Sequence, residues 1–210
     1  MLSLSEVMTL ADVIDRRYRM LVLLAVFASL RWGELMGLRK TDFDLGVGLV
    51  QIERAVSSVG ARQLIKEPKT PAGVRTVSLP MWLLPELEQH FADYSEQTAG
   101  GRVFVGPSGV TPGRANFSSI WARALARAGM TGIHFHDLRH AGNHFAAVSG
   151  ASTRELMGRM GHVSVNAALI YQHRTPSRDR AIANSLDAMV AALTAEVSDR
   201  SGHVGGTATG

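Results

Sequence analysis

The sequence predicts an α+β fold that is mainly α-helical and carries a small three-stranded antiparallel sheet. Two observations lead to this fold class. Apolar residues recur at helical spacing from Leu4 to Leu38 and again after Pro80, whereas the segment between them alternates between apolar and polar residues. Gly- and Pro-containing turns interrupt that alternating segment, which is typical of antiparallel strands joined by hairpins.

The composition indicates a globular protein without disulfide bonds, which is compatible with a cytoplasmic location. Its 210 residues are 46% hydrophobic, enough for a packed core in one large domain or two small ones. Cysteine is absent, which excludes a disulfide framework and a Cys metal site. The longest apolar run, Met20–Leu30, is too short to span a bilayer, and the first residues lack the features of a signal peptide. We therefore expect no membrane association.

The chain carries a mild excess of positive charge, with a net charge of +4 and a pI of about 10.0. This balance suits a phosphate polymer, but many unrelated proteins share it. One basic cluster near the start of the chain is either a solvated helix end or a set of phosphate contacts: Arg16, Arg17 and Arg19.

Helices are predicted up to Leu38. Ser5 is placed to cap a first helix, and Met20–Leu30 predicts a buried second one. A short third helix begins at Glu34, which is placed to orient Arg31 by an ion pair. An arginine directly after so apolar a helix is either a surface residue packed on its neighbour or a functional group.

Three alternating segments predict the sheet: Val50–Val56, Arg62–Ile65 and Val74–Leu79. A turn at 67–73 separates the last two and places Lys69 near the tip of a hairpin. A hairpin lysine is most often a solvated edge residue. On a short, rigid hairpin it is also able to carry an ammonium group into a neighbouring groove.

The carboxyl-terminal part is predicted to return to helices. Their predicted bounds are 81–97, Asn116–Ala128, Asp137–Val148, Thr153–Met160 capped by Ser152, a segment from Ser164 to Tyr171, and 177–194. The last helix either packs on its own core or docks on a neighbouring protomer. Residues 198–210 form a Gly/Ser/Thr tail that is predicted to be disordered.

The stretch from His134 to His173 concentrates the residues of a candidate site. It holds six of the 8 histidines together with Arg139 and Tyr171. Histidine changes charge near neutral pH, whereas arginine stays charged. Together they predict a site that holds an anion and moves protons.

A metal site is an alternative for part of this stretch. His136, His140 and His144 lie at i, i+4 and i+8, so one helix face offers two zinc ligands. However, Arg139 stands between them, and no carboxylate is evident as a third ligand.

Six residues supply every role that cleavage of a phosphodiester through a covalent intermediate needs. A tyrosine attacks phosphorus when cations stabilise its phenolate or a base takes its proton. Two arginines suit the nonbridging oxygens, and a lysine or histidine protonates the leaving sugar oxygen. This chemistry requires no metal, nucleotide or other cofactor. The six are Arg31, Lys69, His136, Arg139, His162 and Tyr171.

The motifs around these residues resemble the catalytic domain of the tyrosine recombinase (phage integrase) family. The matching pieces follow in family order: LRWGEL with Arg31, the hairpin Lys69, HDLRH with Arg139, MGH with His162 and YQH with Tyr171. The resemblance covers about residues 4–193 and implies a catalytic domain over 1–197 with the fold of DNA breaking-rejoining enzymes.

The resemblance also implies a role for each residue of the site. Arg31 and Arg139 would clamp the scissile phosphate, while Tyr171 attacks it to give a 3′-phosphotyrosyl link and a free 5′-hydroxyl. Lys69 would protonate that leaving oxygen. The tyrosine proton and the bracing of the phosphate would fall to His136 and His162, with Glu34 and His140 as supporting residues around the site.

By the same resemblance, the expected partner is double-stranded DNA, bound as a homo-tetramer at the nucleoid of a bacterial or phage-infected cell. As an isolated domain the chain is expected to be a monomer. Family members usually carry a helical core-binding domain before the catalytic one, and none precedes Met1 here. We therefore expect a fragment that grips DNA less tightly and with a smaller salt dependence.

Three other functions remain open at this stage. A catalytically silent DNA-binding module of the same fold would lack cleavage, although all six positions are filled. A metal-binding helical protein would use the three histidines named above. A type IB topoisomerase, which shares the tyrosine chemistry, would relax DNA without site preference.

Overall fold

A computed structural model describes residues 1–59, 62–66 and 73–161, which all fall within one compact unit, Met1–Gln172. The helices of these ranges are α1 (Leu4–Val13), α2 (Arg16–Phe27), α3 (Trp32–Gly37), α4 (Leu83–Asp93), α5 (Arg114–Arg127), α6 (Phe135–Val148) and α7 (Thr153–Met160). The strands are β1 (Phe43–Asp44), β2 (Leu49–Ile52), β3 (Ala55–Val59), β4 (Arg62–Lys66) and β5 (Arg75–Ser78). A 3-10 turn, Lys40–Asp42, precedes β1. The predicted fold class, helices with a small antiparallel sheet, is confirmed.

The first helix is capped by Ser3, so the predicted cap at Ser5 is wrong. The amide of Glu6 donates to Ser3 Oγ at 3.2 Å, and the amide of Ser3 donates to Glu6 Oε2 at 2.7 Å. This reciprocal pair satisfies two amides that a helix start otherwise leaves open, whereas a cap at Ser5 would leave them unpaired.

Helix α2 forms the centre of the core, as its apolar run predicts. Every residue from Met20 to Val26 is almost completely buried. The helix nevertheless begins earlier than predicted, at Arg16, because Asp15 accepts the amide of Arg17 at 2.9 Å. It ends at Phe27, since Ser29 takes up a left-handed backbone. The basic cluster therefore forms the first turn of α2, at a helix end.

The sheet differs from the predicted one in its strands. The three-stranded sheet has the order β1-β2-β5, whereas β3 and β4 form a separate antiparallel hairpin. The predicted strand Val50–Val56 is broken between Ile52 and Ala55. Arg54 lies at the break, where its guanidinium pairs with the buried carboxylate of Asp42 at 2.7 Å.

An aromatic cluster joins the start of α3 to the start of α6. Phe135 meets Trp32, Phe117 and Trp121 edge to face, with ring centroids 5.3–5.6 Å apart. The Trp121 indole also donates to the carbonyl of Ile133 at 3.0 Å. These contacts fix the helix starts from which Arg31 and His136 project.

Helix α6 crosses α2 at very short range. A Cβ at Gly142 would lie 2.0 Å from the carbonyl oxygen of Val26, so only glycine fits at this crossing. Among the helices of the described ranges, none is long and apolar enough to cross a membrane.

Candidate active site

Arg31 stands at the amino-terminal end of α3 and pairs with Glu34 one turn later. Its Nη1 lies 2.9 Å from Glu34 Oε1, and its amide donates to Glu34 Oε2 at 2.8 Å. The predicted ion pair is therefore present. The Arg31 side chain is 39% exposed and that of Glu34 only 8%. The buried carboxylate therefore binds the guanidinium on its inner side, and the outer side of the guanidinium stays accessible to solvent.

Glu34 also binds two further arginines. Arg75 on β5 reaches both carboxylate oxygens, at 3.1 Å and 3.0 Å, in a bidentate fork. Arg139 Nη1 lies 3.8 Å from Glu34 Oε2. Burial alone would raise the pKa of Glu34, but the hydrogen bonds and charge of Arg75, with the amide of Arg31 and the charge of Arg139, outweigh it and hold the pKa below its ordinary value. The carboxylate therefore stays ionised.

Arg139 is almost completely buried on α6, with 2% of its surface exposed. Its Nη1 donates to the carbonyl of Ser29, and its Nη2 donates to the carbonyl of Met160 at 2.6 Å. This arginine thus connects the end of α2 with the end of α7. Three guanidinium groups around one carboxylate leave a surplus of two positive charges, which suits an anion such as a phosphodiester.

His136 and His140 lie on the first turns of α6 with their rings exposed to solvent. The ring centroids are 4.7 Å apart in an edge-to-face arrangement. Partial desolvation of the ring, followed by the charges of His140, Arg139 and Arg31, lowers the pKa of His136. His136 is therefore neutral near pH 7 and able to accept a proton.

The three histidines of the metal alternative do not gather into a ligand set. Across residues 1–59, 62–66 and 73–161, no three His, Cys, Asp or Glu side chains form a group able to hold a metal ion. The third of these histidines, His144, keeps its Nδ1 buried and without a hydrogen-bond partner in the part of the chain that the structure describes.

Half of the predicted catalytic set lies outside the described residues: Lys69, His162 and Tyr171. The predicted helix 177–194 and the tail 198–210 lie outside them as well. The structure brings Arg31 and Arg139 together on Glu34, and His136 lies close enough for the charges of both arginines to lower its pKa. The described chain ends at Gly161, whose left-handed backbone (φ 61°) terminates α7 directly before His162 in the sequence.

Two arginines of this region were missed by sequence reasoning, Arg75 and Arg159. Arg75 had a detectable signal, because it lies two residues from the buried Val77 and so on the inward face of an alternating strand. A charged residue at such a position needs a buried partner. Arg159 offered no comparable signal, since its neighbours on α7 are a mixture of exposed and buried residues.

The fold and the site together define a class: a helical domain with a small antiparallel sheet and a buried carboxylate that organises an arginine-rich anion site. Comparison with known proteins gives this class a family. The Phage integrase family matches residues 1–178, and the chain belongs to that family.

One relative is the putative prophage phiRv2 integrase of Mycobacterium tuberculosis, 37% identical over 185 residues, which covers 86% of this chain and 49% of that protein. The chain thus spans about half the length of the curated relatives it matches. Among solved structures, the Tn1549 transposon integrase in complex with circular intermediate DNA superposes with a TM-score of 0.74 at 20% identity, covering 88% of this chain and 66% of that one. The catalytic domain of bacteriophage HP1 integrase gives a TM-score of 0.58 at 17% identity, with 87% and 92% covered. These structures share the fold of this chain.

Proposed function

We propose that this chain is the catalytic domain of a tyrosine-type site-specific DNA recombinase, an integrase that cleaves and rejoins double-stranded DNA. The observation that carries the proposal is the ionised, buried Glu34, which gathers Arg31, Arg75 and Arg139 into a site with surplus positive charge. Membership of the Phage integrase family and relatives that are themselves named integrases support the same reaction.

In the proposed reaction, Arg31 and Arg139 stabilise the charge that builds up on the nonbridging oxygens of the scissile phosphate. The phenolic oxygen of Tyr171 attacks phosphorus and forms a 3′-phosphotyrosyl ester, while the bond from phosphorus to the 5′-oxygen breaks. Lys69 gives its proton to the departing 5′-oxygen, which leaves as a hydroxyl.

Two histidines complete the proton transfers. His136 is neutral near pH 7 because of its lowered pKa, so it is suited to take the tyrosine proton, with His162 bracing the phosphate. Attack of a 5′-hydroxyl from another strand reverses every step and rejoins the DNA. Because the phosphotyrosyl ester conserves the bond energy, the reaction needs no ATP, metal or other cofactor.

The domain that carries this reaction extends over 1–197 in our proposal. Helix 177–194 docks on a neighbouring protomer in a homo-tetramer on DNA, and 198–210 is a tail without a catalytic part. Without DNA the chain is a monomer. The protein acts at the nucleoid.

The test is covalent capture from a pool of labelled, nicked duplexes with randomised cores, in EDTA and without ATP. The nick lets the short 5′-hydroxyl strand diffuse away, so that the phosphotyrosyl adduct accumulates. Low ionic strength is used because contacts with phosphate are strongest there. We expect a band of increased mass on a denaturing gel, and sequencing of the captured strands should reveal a preferred site.

The matched control is Tyr171→Phe, which removes only the attacking oxygen. An adduct that survives this substitution would place the covalent bond elsewhere and refute the proposal. Absence of any adduct with the wild-type chain would also refute it, in favour of a DNA-binding module without catalysis. Captured strands without any shared sequence would indicate a topoisomerase.

A further inference from the structure

The carboxyl-terminal end of α7 is held by two arginines from other elements. Arg75 Nε donates to the carbonyl of Arg159 at 2.9 Å, and Arg139 Nη2 donates to the carbonyl of Met160 at 2.6 Å. The last carbonyls of a helix have no partner within the helix, and positive charge is favourable at that end. These two arginines therefore cap α7 from β5 and α6.

The same two arginines meet at Glu34. Arg75 binds its carboxylate with two nitrogens, and Arg139 approaches to 3.8 Å. Because Glu34 also holds Arg31, one carboxylate connects the exposed arginine of the anion site with the end of α7. All three nitrogens of the Arg75 guanidinium donate to protein oxygens, Nε to the carbonyl of Arg159 and both Nη atoms to Glu34, so Arg75 acts on the protein rather than on a ligand.

Helix α7 is attached to the core a second time through the side chain of Arg159. Its Nη2 donates to the carbonyl of Phe27 at the end of α2, and its Nη1 donates to the carbonyl of Ser78 at 3.3 Å. Burial, and then the charge of Arg75, lowers the pKa of Arg159. The helix end is thus fixed from both its backbone and its side chain, and Arg75 contributes to the backbone contact.

We infer that Arg75 is a positioning residue for strand cleavage, an inference that rests on the proposed function. Through Glu34 it sets the orientation of Arg31 and Arg139. Through the carbonyl of Arg159 it fixes the end of α7, three residues before His162 in the sequence. One side chain therefore keeps the anion site in register with the end of α7.

The geometry requires an arginine at this position. A guanidinium presents a planar fork and a separate Nε donor, so it reaches Glu34 and the Arg159 carbonyl at once. A lysine keeps the charge but offers a single ammonium centre. Arg75→Lys therefore tests the hydrogen-bonding geometry of Arg75 separately from its positive charge.

The experiment measures DNA binding and single-turnover cleavage for Arg75→Gln and Arg75→Lys. We expect the Kd for DNA to change little, because the Arg75 nitrogens are bonded to Glu34 and to the carbonyl of Arg159. The rate of adduct formation should fall by about 100-fold, the cost of a misplacement of roughly 1 Å at a reacting centre. A methylphosphonate at the cleavage position removes the charge that the arginines stabilise, so the defect on that substrate should shrink to less than about 10-fold.

The matched control is Arg54→Gln, since Arg54 also pairs with a buried carboxylate, that of Asp42, but contacts neither Glu34 nor α7 in the described ranges. If the Arg75 variants cleave like this control, the inference is wrong. Equal loss on the phosphodiester and the methylphosphonate would show a purely structural role and also overturn it. If Arg75→Gln does not fold, Arg75→Lys decides the question. A wild-type chain that forms no Tyr171-dependent adduct refutes the proposed function itself.

Discussion

The carbonyl oxygen of Ser29 accepts a hydrogen bond from the guanidinium of Arg139, and Ser29 presents that oxygen with a left-handed backbone at φ 53°. A non-glycine residue in this conformation bears a strain of about 1 kcal/mol or more. Ser29 is completely buried, and its Oγ has no hydrogen-bond partner within the described residues. Strain and an unpaired hydroxyl are thus concentrated where α2 ends, two residues before Arg31.

Ser29→Gly should therefore stabilise the protein by about 1 kcal/mol, because glycine adopts positive φ without strain. Urea unfolding monitored by far-UV circular dichroism measures the free energy of unfolding. Ser29→Ala is the control, since both substitutions remove the hydroxyl and only glycine relieves the backbone. Equal stability of the two variants would show that the backbone conformation is not the source of the strain.

Gly142→Ala should destabilise the protein by about 2–3 kcal/mol. The new Cβ would stand 2.0 Å from the Val26 carbonyl oxygen, and backbone cannot move aside as a flexible side chain does. The crossing of α2 and α6 must then widen. The free energy of unfolding in urea measures the effect.

Gly158→Ala is the matched control for this crossing. Gly158 also lies inside a helix, α7, but a Cβ there meets nothing within 4 Å. Alanine has the higher helix propensity, so this variant should gain up to about 1 kcal/mol. A Gly142→Ala variant as stable as the wild type would contradict the close approach of α6 to α2.

The part of the site that is local in sequence was predictable. Arg31 and Glu34 are three residues apart, so a helix start alone brings them together, and the predicted ion pair is present. The predicted cap at Ser152 is likewise confirmed, because a capping box needs only four consecutive residues. Local spacing carries enough information for both contacts.

The contacts that depend on sheet pairing were not predictable. Arg75 and Glu34 are 41 residues apart in the sequence, and their side chains meet only when β5 pairs with β2. Periodicity gives each strand its faces but not its partner. For the same reason the sequence pattern assigned Arg62–Ile65 to the three-stranded sheet, where β1 lies instead.

Arg31 and Arg139 should respond differently to replacement by lysine. Arg31 is 39% exposed and its contacts lie on one side, so Arg31→Lys should fold normally while cleavage falls on the order of 10²–10³-fold. Arg139→Lys should lose stability as well, by about 2 kcal/mol, because a lysine cannot serve the carbonyls of Ser29 and Met160 together. Urea unfolding and single-turnover cleavage separate the two effects. Equal destabilisation by both variants would contradict the different burial of the two arginines.

His90 should make the protein sensitive to mild acid. Burial, partly offset by its hydrogen bond with the carbonyl of Val103, lowers the pKa of His90 from 6.5 to about 4. Below about pH 6.5 the His90 side chain is protonated in the unfolded chain but stays neutral in the folded chain. The contribution of neutral His90 to the free energy of unfolding is therefore fully present above pH 6.5 and is lost as the pH falls towards 4. From these two pKa values, the free energy of unfolding should fall by about 2 kcal/mol between pH 7.5 and pH 5.

The test compares the free energy of unfolding of the wild type and His90→Gln across this pH range. Glutamine retains an N–H donor for the Val103 carbonyl but does not titrate. The variant is expected to be less stable at pH 7.5, because it loses the ring contacts with Phe104 and Tyr94. Its stability should nevertheless fall less steeply with acid than that of the wild type. Parallel curves would mean that His90 is protonated in the folded protein and that its burial does not control the response.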